Sequence, residues 1–248
     1  MPAEIDDAYV SLRATTLAQS DAPAPAEKPS PPRRSRVGVG WVSQVLGKQS
    51  LRVRQELEAF AATVDAECLF RLGDDLDPAI SLEDFVRSEA KPSRVDTVEL
   101  LVLAGHGGGS NAGLFLPGGK SVKPGAVFFG ATLRWVVIDA CCTFERDLYD
   151  PLQWRRVFDG LHQLLGSSIS VSDSVERGRI FAGYLNEGKA VWEAWRRALE
   201  ETDDAPTRAT VMVPAAVASD ILGETLHAPA PLARESLGGD FQIIDVAV

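Results

Sequence analysis

The chain has 248 residues, 45% of them hydrophobic and 24% charged, the composition of one large folded domain rather than of a disordered or fibrous chain. Its 35 acidic residues against 25 basic ones leave a net charge of −10, which argues against general nucleic-acid binding and against docking on an anionic membrane. Three cysteines do not make a disulfide framework, and no apolar run approaches the roughly 20 residues that span a bilayer. Met1 to Asp7 is acidic where a secretory leader would be basic, so the expected compartment is reducing and cytoplasmic.

The chain is expected to divide near residue 36. Residues 18–36 (AQSDAPAPAEKPSPPRRSR) are rich in Pro, Ala and Ser without hydrophobic periodicity, which reads as a disordered tether after one short amphipathic helix over 5–18. This tail is charge-balanced: Glu4, Asp6, Asp7, Asp21 and Glu27 match Arg13, Lys28, Arg33, Arg34 and Arg36, so residues 37–248 carry the whole negative charge. The field around that body favours a basic peptide over an acidic one.

From Val37 strands and helices are expected in turn. Residues 37–45 form a strand, 51–62 a helix and 66–72 a strand, and Ser81 with Asp84 three residues on reads as a capping box opening a short helix over 81–88. Residues 97–104 (TVELLVLA) and 133–140 (LRWVVIDA) are continuous apolar runs, as strands buried on both faces should be. A helix is expected over 151–165, a short strand over 168–172, helices over 175–185 and 190–201, and strands over 208–213 and 241–248. Strands alternating with helices of this length predict an α/β fold with a mostly parallel central sheet between helical layers.

The two apolar strands end in the residues able to do chemistry. The first runs into Gly105-His106-Gly107-Gly108-Gly109 and the second into Asp139-Ala140-Cys141-Cys142. In an open parallel sheet functional groups collect at the carboxyl ends of strands. Neighbouring strands would place His106 and Cys141 in one crevice, a thiol and an imidazole being the minimum for nucleophilic cysteine catalysis. The backbone N–H groups of Gly107 and Cys141 could hold a developing oxyanion. The structural alternative is a glycine turn beside a small core cysteine.

Gly-His-Gly at one strand end and Asp-Ala-Cys at the next resembles the caspase-like cysteine peptidases: caspases, metacaspases, gingipain- and clostripain-type proteases, separase and the CHAT domains. Trp154–Gly166 (WRRVFDGLHQLLG) and Gly178–Ala198 are closer still to an uncharacterised bacterial caspase-like family, the likeness running from about Trp41 to Glu201. The resemblance implies a three-layer sandwich of caspase-haemoglobinase type over 37–248, with His106 as the proton shuttle and Cys141, which follows the small Ala140, as the nucleophile. It also implies that Asp139, two residues earlier on the same strand face, reads a basic side chain, so that cleavage follows Arg or Lys. Asp173 is a second candidate for the pocket wall. The alternative for Asp139 is a hydrogen-bonded carboxylate at a strand end.

This sequence also departs from the pattern. Caspases continue after the nucleophile with Arg-Gly and metacaspases with His-Ser-Gly, where Cys142-Thr143-Phe144 stands here. Cys142 reads as a core or neighbouring-loop thiol rather than a resolving or substitute nucleophile, Cys68 as a core thiol, and His162 as a core histidine or a group near the site. Other chemistries fit poorly: Leu114 stands where a phosphate loop ending in Gly119-Lys120-Ser121 needs glycine, no Gly-x-Ser-x-Gly elbow occurs, and His106, Cys141, Cys142 and His162 lack zinc-ligand spacing. The mechanism needs no organic cofactor or metal, and no acidic loop stands out for the calcium that activates some relatives. The expected partner is a peptide or protein substrate, basic at the cleavage site, and Arg33, Arg34 and Arg36 form a segment such an enzyme could cut in itself. A silent caspase-fold module binding a basic peptide and a peptidyl transferase using the same dyad remain as alternatives. The oligomeric state is not legible.

Overall fold

Two stretches of the chain are apolar at every position, and they become the middle of a sheet. The computed structural model describes residues 34–44, 51–86, 93–108, 113–124, 127, 129–130, 132–145, 150–232 and 239–248. In chain order the elements are β1 (Arg36–Val42), α1 (Val53–Thr63), β2 (Glu67–Gly73), β3 (Leu100–Gly105), β4 (Leu114–Phe115), β5 (Ser121–Val122), β6 (Phe129–Gly130), β7 (Trp135–Asp139), β8 (Phe158–Asp159), β9 (Gln163–Ser167), α2 (Arg177–Asn186), α3 (Val191–Thr202), β10 (Arg208–Pro214), α4 (Ala218–Leu222) and β11 (Phe241–Ala247). Seven strands make the main sheet, in the order β11-β10-β9-β7-β3-β1-β2. The five from β2 to β9 are parallel, and β10 and β11 add antiparallel at one edge. The fold is the expected α/β type, with a mostly parallel sheet.

Alternate residues of the central strands feed two cores, as the two-residue period of a strand requires. Val37, Val39 and Trp41 of β1, Leu100, Val102 and Ala104 of β3, and Trp135 and Val137 of β7 face one side, where α1, α2, α3 and α4 pack. The stripe of α3 shows why: Val191, Ala194, Trp195, Ala198 and Leu199 are all buried, at helical spacing. Leu101 and Leu103 of β3 and Val136 and Ile138 of β7 face the other side. Among the described residues that layer is built from 3-10 turns and two-stranded ladders rather than α-helices, with Phe85, Val95, Trp154 and Val157 filling it.

Four expectations need correction. The helix over 151–165 is instead a 3-10 helix over Pro151–Val157, then β8 and most of β9. Trp154, Val157, Leu161 and Leu164 mimic a helical stripe, but Gly160 takes a φ of 102° that ends any helix, and Gln163–Ser167 is buried throughout between β7 and β10. The strand expected over 168–172 is therefore the connection after β9. The helix over 81–88 shortens to one 3-10 turn, Leu82–Asp84, although the capping box is real: Ser81 N donates to Asp84 Oδ2 at 2.9 Å. The tail boundary also moves, because Arg36 already belongs to β1 and the buried Ser35 donates its hydroxyl to Leu226 O at 2.7 Å. That pairing makes Ser35 and Arg36 part of the fold rather than a free segment for self-cleavage. The helix expected over 5–18 and the tail through Arg33 lie outside the described residues.

Candidate active site

β3 and β7 are neighbours, and their register pairs Ala104 with Asp139. Two residues beyond each partner stand His106 and Cys141, so the pairing that the two apolar runs dictate brings the imidazole and the thiol to one strand-end crevice. Both are half-buried and both line a single cavity of about 50 Å³, with Leu51 just before α1 and Val53 and Glu56 in its first turn.

Backbone packing explains the glycine after His106. A Cβ on Gly107 would stand 2.5 Å from the Cys141 carbonyl oxygen and 2.8 Å from Ala140 Cβ, so only glycine lets the two strand ends close on each other. The next residue, Gly108, adopts a φ of 98°, again glycine territory. The turn that carries Cys141 is held from within and from the end of β9 and the connection after it: Thr143 Oγ1 donates to Ala140 O at 3.1 Å, Phe144 N to Ser167 O at 3.0 Å and Cys142 N to Ile169 O at 3.0 Å. Cys141 Sγ–H points at Val171 O, 3.8 Å away, so the connection after β9 runs beside the thiol.

The two adjacent cysteines differ in kind. Cys142 sits at a φ of 60°, and burial together with the neighbouring Glu145 pushes its thiol up to about 12. Such a thiol stays protonated at neutral pH and is a poor nucleophile. Cys68 is likewise raised by burial, and all three cysteines are free thiols.

Asp139 does not stand open to a substrate cation. Its side chain and that of Arg177 are 2% and 1% exposed, and Arg177 Nη1 donates to both carboxylate oxygens at 3.0 and 2.8 Å. The alternative reading, a hydrogen-bonded carboxylate at a strand end, is the one the geometry gives. Asp203 Oδ1 accepts from Arg177 Nη2 at 3.1 Å, and Glu56 completes the cluster. Burial, and then the Asp139 charge, push Glu56 well above the usual carboxylate range and favour its protonated form. Burial opposes the charge on Arg177, but the Asp139 and Asp203 carboxylates more than offset it and keep the guanidinium ionised. Asp173 does line the cavity, at its mouth, where its carboxylate accepts from Arg52 N at 3.0 Å and from Arg52 Nε at 3.3 Å.

Glu56 and Arg177 are the site residues that motif reading missed. Each left a signal: Glu56 lies on the buried stripe Val53, Glu56, Leu57, Phe60, and Arg177 on the stripe Arg177, Phe181, Ala182, Leu185. A charge on an apolar helical stripe requires a buried partner. His162, by contrast, lies nowhere near the thiol. It precedes β9 at the opposite ends of the strands, where its Nδ1 is 2.7 Å from Glu224 Oε1.

Comparison with known sequences gives one decisive match. The model of the family described as "Domain of unknown function (DUF6345)" matches residues 55–229, more than half of the chain. The chain belongs to that family. No curated protein matches. Among solved structures, a secreted C11 cysteine protease from Bacteroides thetaiotaomicron, in complex with an irreversible peptide inhibitor, is similar with a TM-score of 0.42 and 10% identity, over 76% of this chain and 67% of that one. An inactive zymogen C11 protease from Parabacteroides distasonis has a TM-score of 0.37 and 13% identity, over 77% of this chain and 64% of its own.

Proposed function

We propose that this protein is a cysteine endopeptidase of caspase-like type, with Cys141 as nucleophile and His106 as general acid and base. The observation that carries the reading is the β3–β7 register, which delivers a thiol and an imidazole to the same small cavity at the carboxyl ends of two buried strands. In the first half-reaction the Cys141 proton passes to His106 as the sulfur attacks the scissile carbonyl carbon. The C–N bond then breaks, and His106 returns the proton to the leaving amine. Water, deprotonated by His106, hydrolyses the thioester and restores the thiol. Backbone N–H groups of Gly107 and Cys141 stabilise the oxyanion, worth about 3 kcal/mol per donor.

The substrate is a peptide or protein. A basic residue at the cleavage site, which the resemblance implied through Asp139, loses its reader to Arg177. A second reading has one observation in its favour: the thiol donates to Val171 O, as in a closed or catalytically silent module that binds a peptide without cutting it. Hydrolysis of a quenched peptide library by wild type, Cys141→Ala and His106→Ala separates the two. The peptidase reading expects turnover in wild type and a loss of at least about a thousandfold in each variant. Binding without turnover in all three would establish the silent module.

A further inference from the structure

All three nitrogens of the Arg177 guanidinium donate to acceptors of the chain itself. Nε donates to Thr202 Oγ1 at 3.0 Å, Nη1 to the two oxygens of Asp139 at 3.0 and 2.8 Å, and Nη2 to Ser172 O at 3.0 Å and Asp203 Oδ1 at 3.1 Å. This group is therefore engaged at every nitrogen, 1% exposed, and fixed in the lining of the cavity that also holds Cys141 and His106. It stands where the side chain of a basic substrate residue would have to reach Asp139.

Two consequences follow for what can enter. A substrate Arg or Lys finds Asp139 already paired, and burying its cation there unpaired is costly. A substrate Asp or Glu finds no free donor on Arg177 and meets the carboxyl groups of Asp139 and Glu56 instead. The space is also small. The cavity measures about 50 Å³, whereas about 150 Å³ accommodates a benzene ring. Leu51, Val53 and Val171 form its apolar walls. A methyl or hydroxymethyl group matches that volume and polarity.

We propose that the cavity beside Cys141 is a specificity pocket for a short uncharged side chain (Gly, Ala or Ser), with Arg177 as the residue that excludes charged ones. This rests on the peptidase reading of the same site. The chain's own arginine fills the place of a substrate cation at Asp139.

Three peptidyl chloromethyl ketones, identical except for Ala, Arg or Asp at the last position, test this on the full chain by intact mass and peptide mapping. Each labels by forming a thioether between Cys141 Sγ and the methylene carbon as chloride leaves with the thiol proton. The Ala probe is expected to label Cys141 at least about tenfold faster than the Arg or Asp probe. In Arg177→Ala, which uncovers Asp139, the ratio should move toward the Arg probe by at least about tenfold. If that variant does not fold, the wild-type ratio decides alone. Equal or faster labelling by the Arg probe in wild type would overturn the pocket assignment while leaving the peptidase reading intact. No labelling of Cys141 by any probe would sink the peptidase reading, and the assignment with it.

Discussion

The two ends of β7 each carry a buried cluster of hydrogen-bonded polar side chains, and they do opposite things. At the amino end, Glu224 Oε1 accepts from Ala230 N at 2.7 Å and meets His162 Nδ1 at 2.7 Å, while Oε2 accepts from Trp135 Nε1 at 3.0 Å. His162 and Glu224 are 4% and 1% exposed, and the cluster ties the segment after α4 to the base of the sheet. At the carboxyl end, the Glu56–Asp139–Arg177–Asp203 cluster is as deeply buried, but it forms the floor of a cavity that opens on Cys141 and His106. A histidine beside a carboxylate is thus no mark of catalysis here. The His162–Glu224 pair belongs to the fold, and the proposed chemistry falls to the half-buried histidine at the other strand end.

Breaking each cluster should separate these roles. Asp139→Ala and Glu224→Ala each leave a buried partner uncompensated and should cost about 3–5 kcal/mol, a fall in melting temperature of about 6–20 °C for a chain of this size. In the fraction still folded, Glu224→Ala should leave the labelling rate of Cys141 within about twofold, whereas Asp139→Ala should change it, because its partner Arg177 lines the cavity. Thermal scans with labelling kinetics on both variants check this, and equal effects on labelling would erase the distinction between the two ends.

A smaller effect sharpens the comparison through pH. Glu56 has its folded pKa raised, chiefly by burial, so the stability tied to its proton is fully present below the ordinary carboxylate range and is lost as pH rises toward the raised value. Glu56→Gln removes that loss. Its melting temperature relative to wild type should therefore climb as pH rises above the ordinary carboxylate range, and a difference that stays flat with pH would show that Glu56 is ionised in the folded protein.

The smallest expected effect concerns the second thiol. With Cys142 pushed up to about 12, alkylation near neutral pH should pass it by. Cys142→Ala should keep turnover within about twofold and cost no more than about 1 kcal/mol. Peptide mapping after brief iodoacetamide treatment checks the selectivity, and preferential modification of Cys142 would contradict it.

The parts of this molecule legible in the sequence are those governed by local pattern. β3 and β7 announced themselves as unbroken apolar runs, α3 as a stripe at helical spacing, and Ser81 with Asp84 as a capping box that forms even around a single turn. The 151–165 region was misleading because Trp154, Val157, Leu161 and Leu164 satisfy a helical period by accident of a turn followed by a buried strand; Gly160 was the informative residue. The site divides in the same way. His106 and Cys141 follow from two strand ends, but the Asp139–Arg177 pair joins positions 38 residues apart, and no local period encodes which cation a buried carboxylate will meet. Only the charge on the stripe of α2 hinted that Arg177 turned inward.

The most direct test of the central claim is acid-quenched intact-mass spectrometry of the wild-type chain mixed with a peptide thiobenzyl ester ending in Ala. The account predicts an acyl adduct in thioester linkage to Cys141, transient in wild type, longer-lived in His106→Ala and absent in Cys141→Ala. No covalent adduct in wild type, or an adduct that persists in Cys141→Ala, would contradict it.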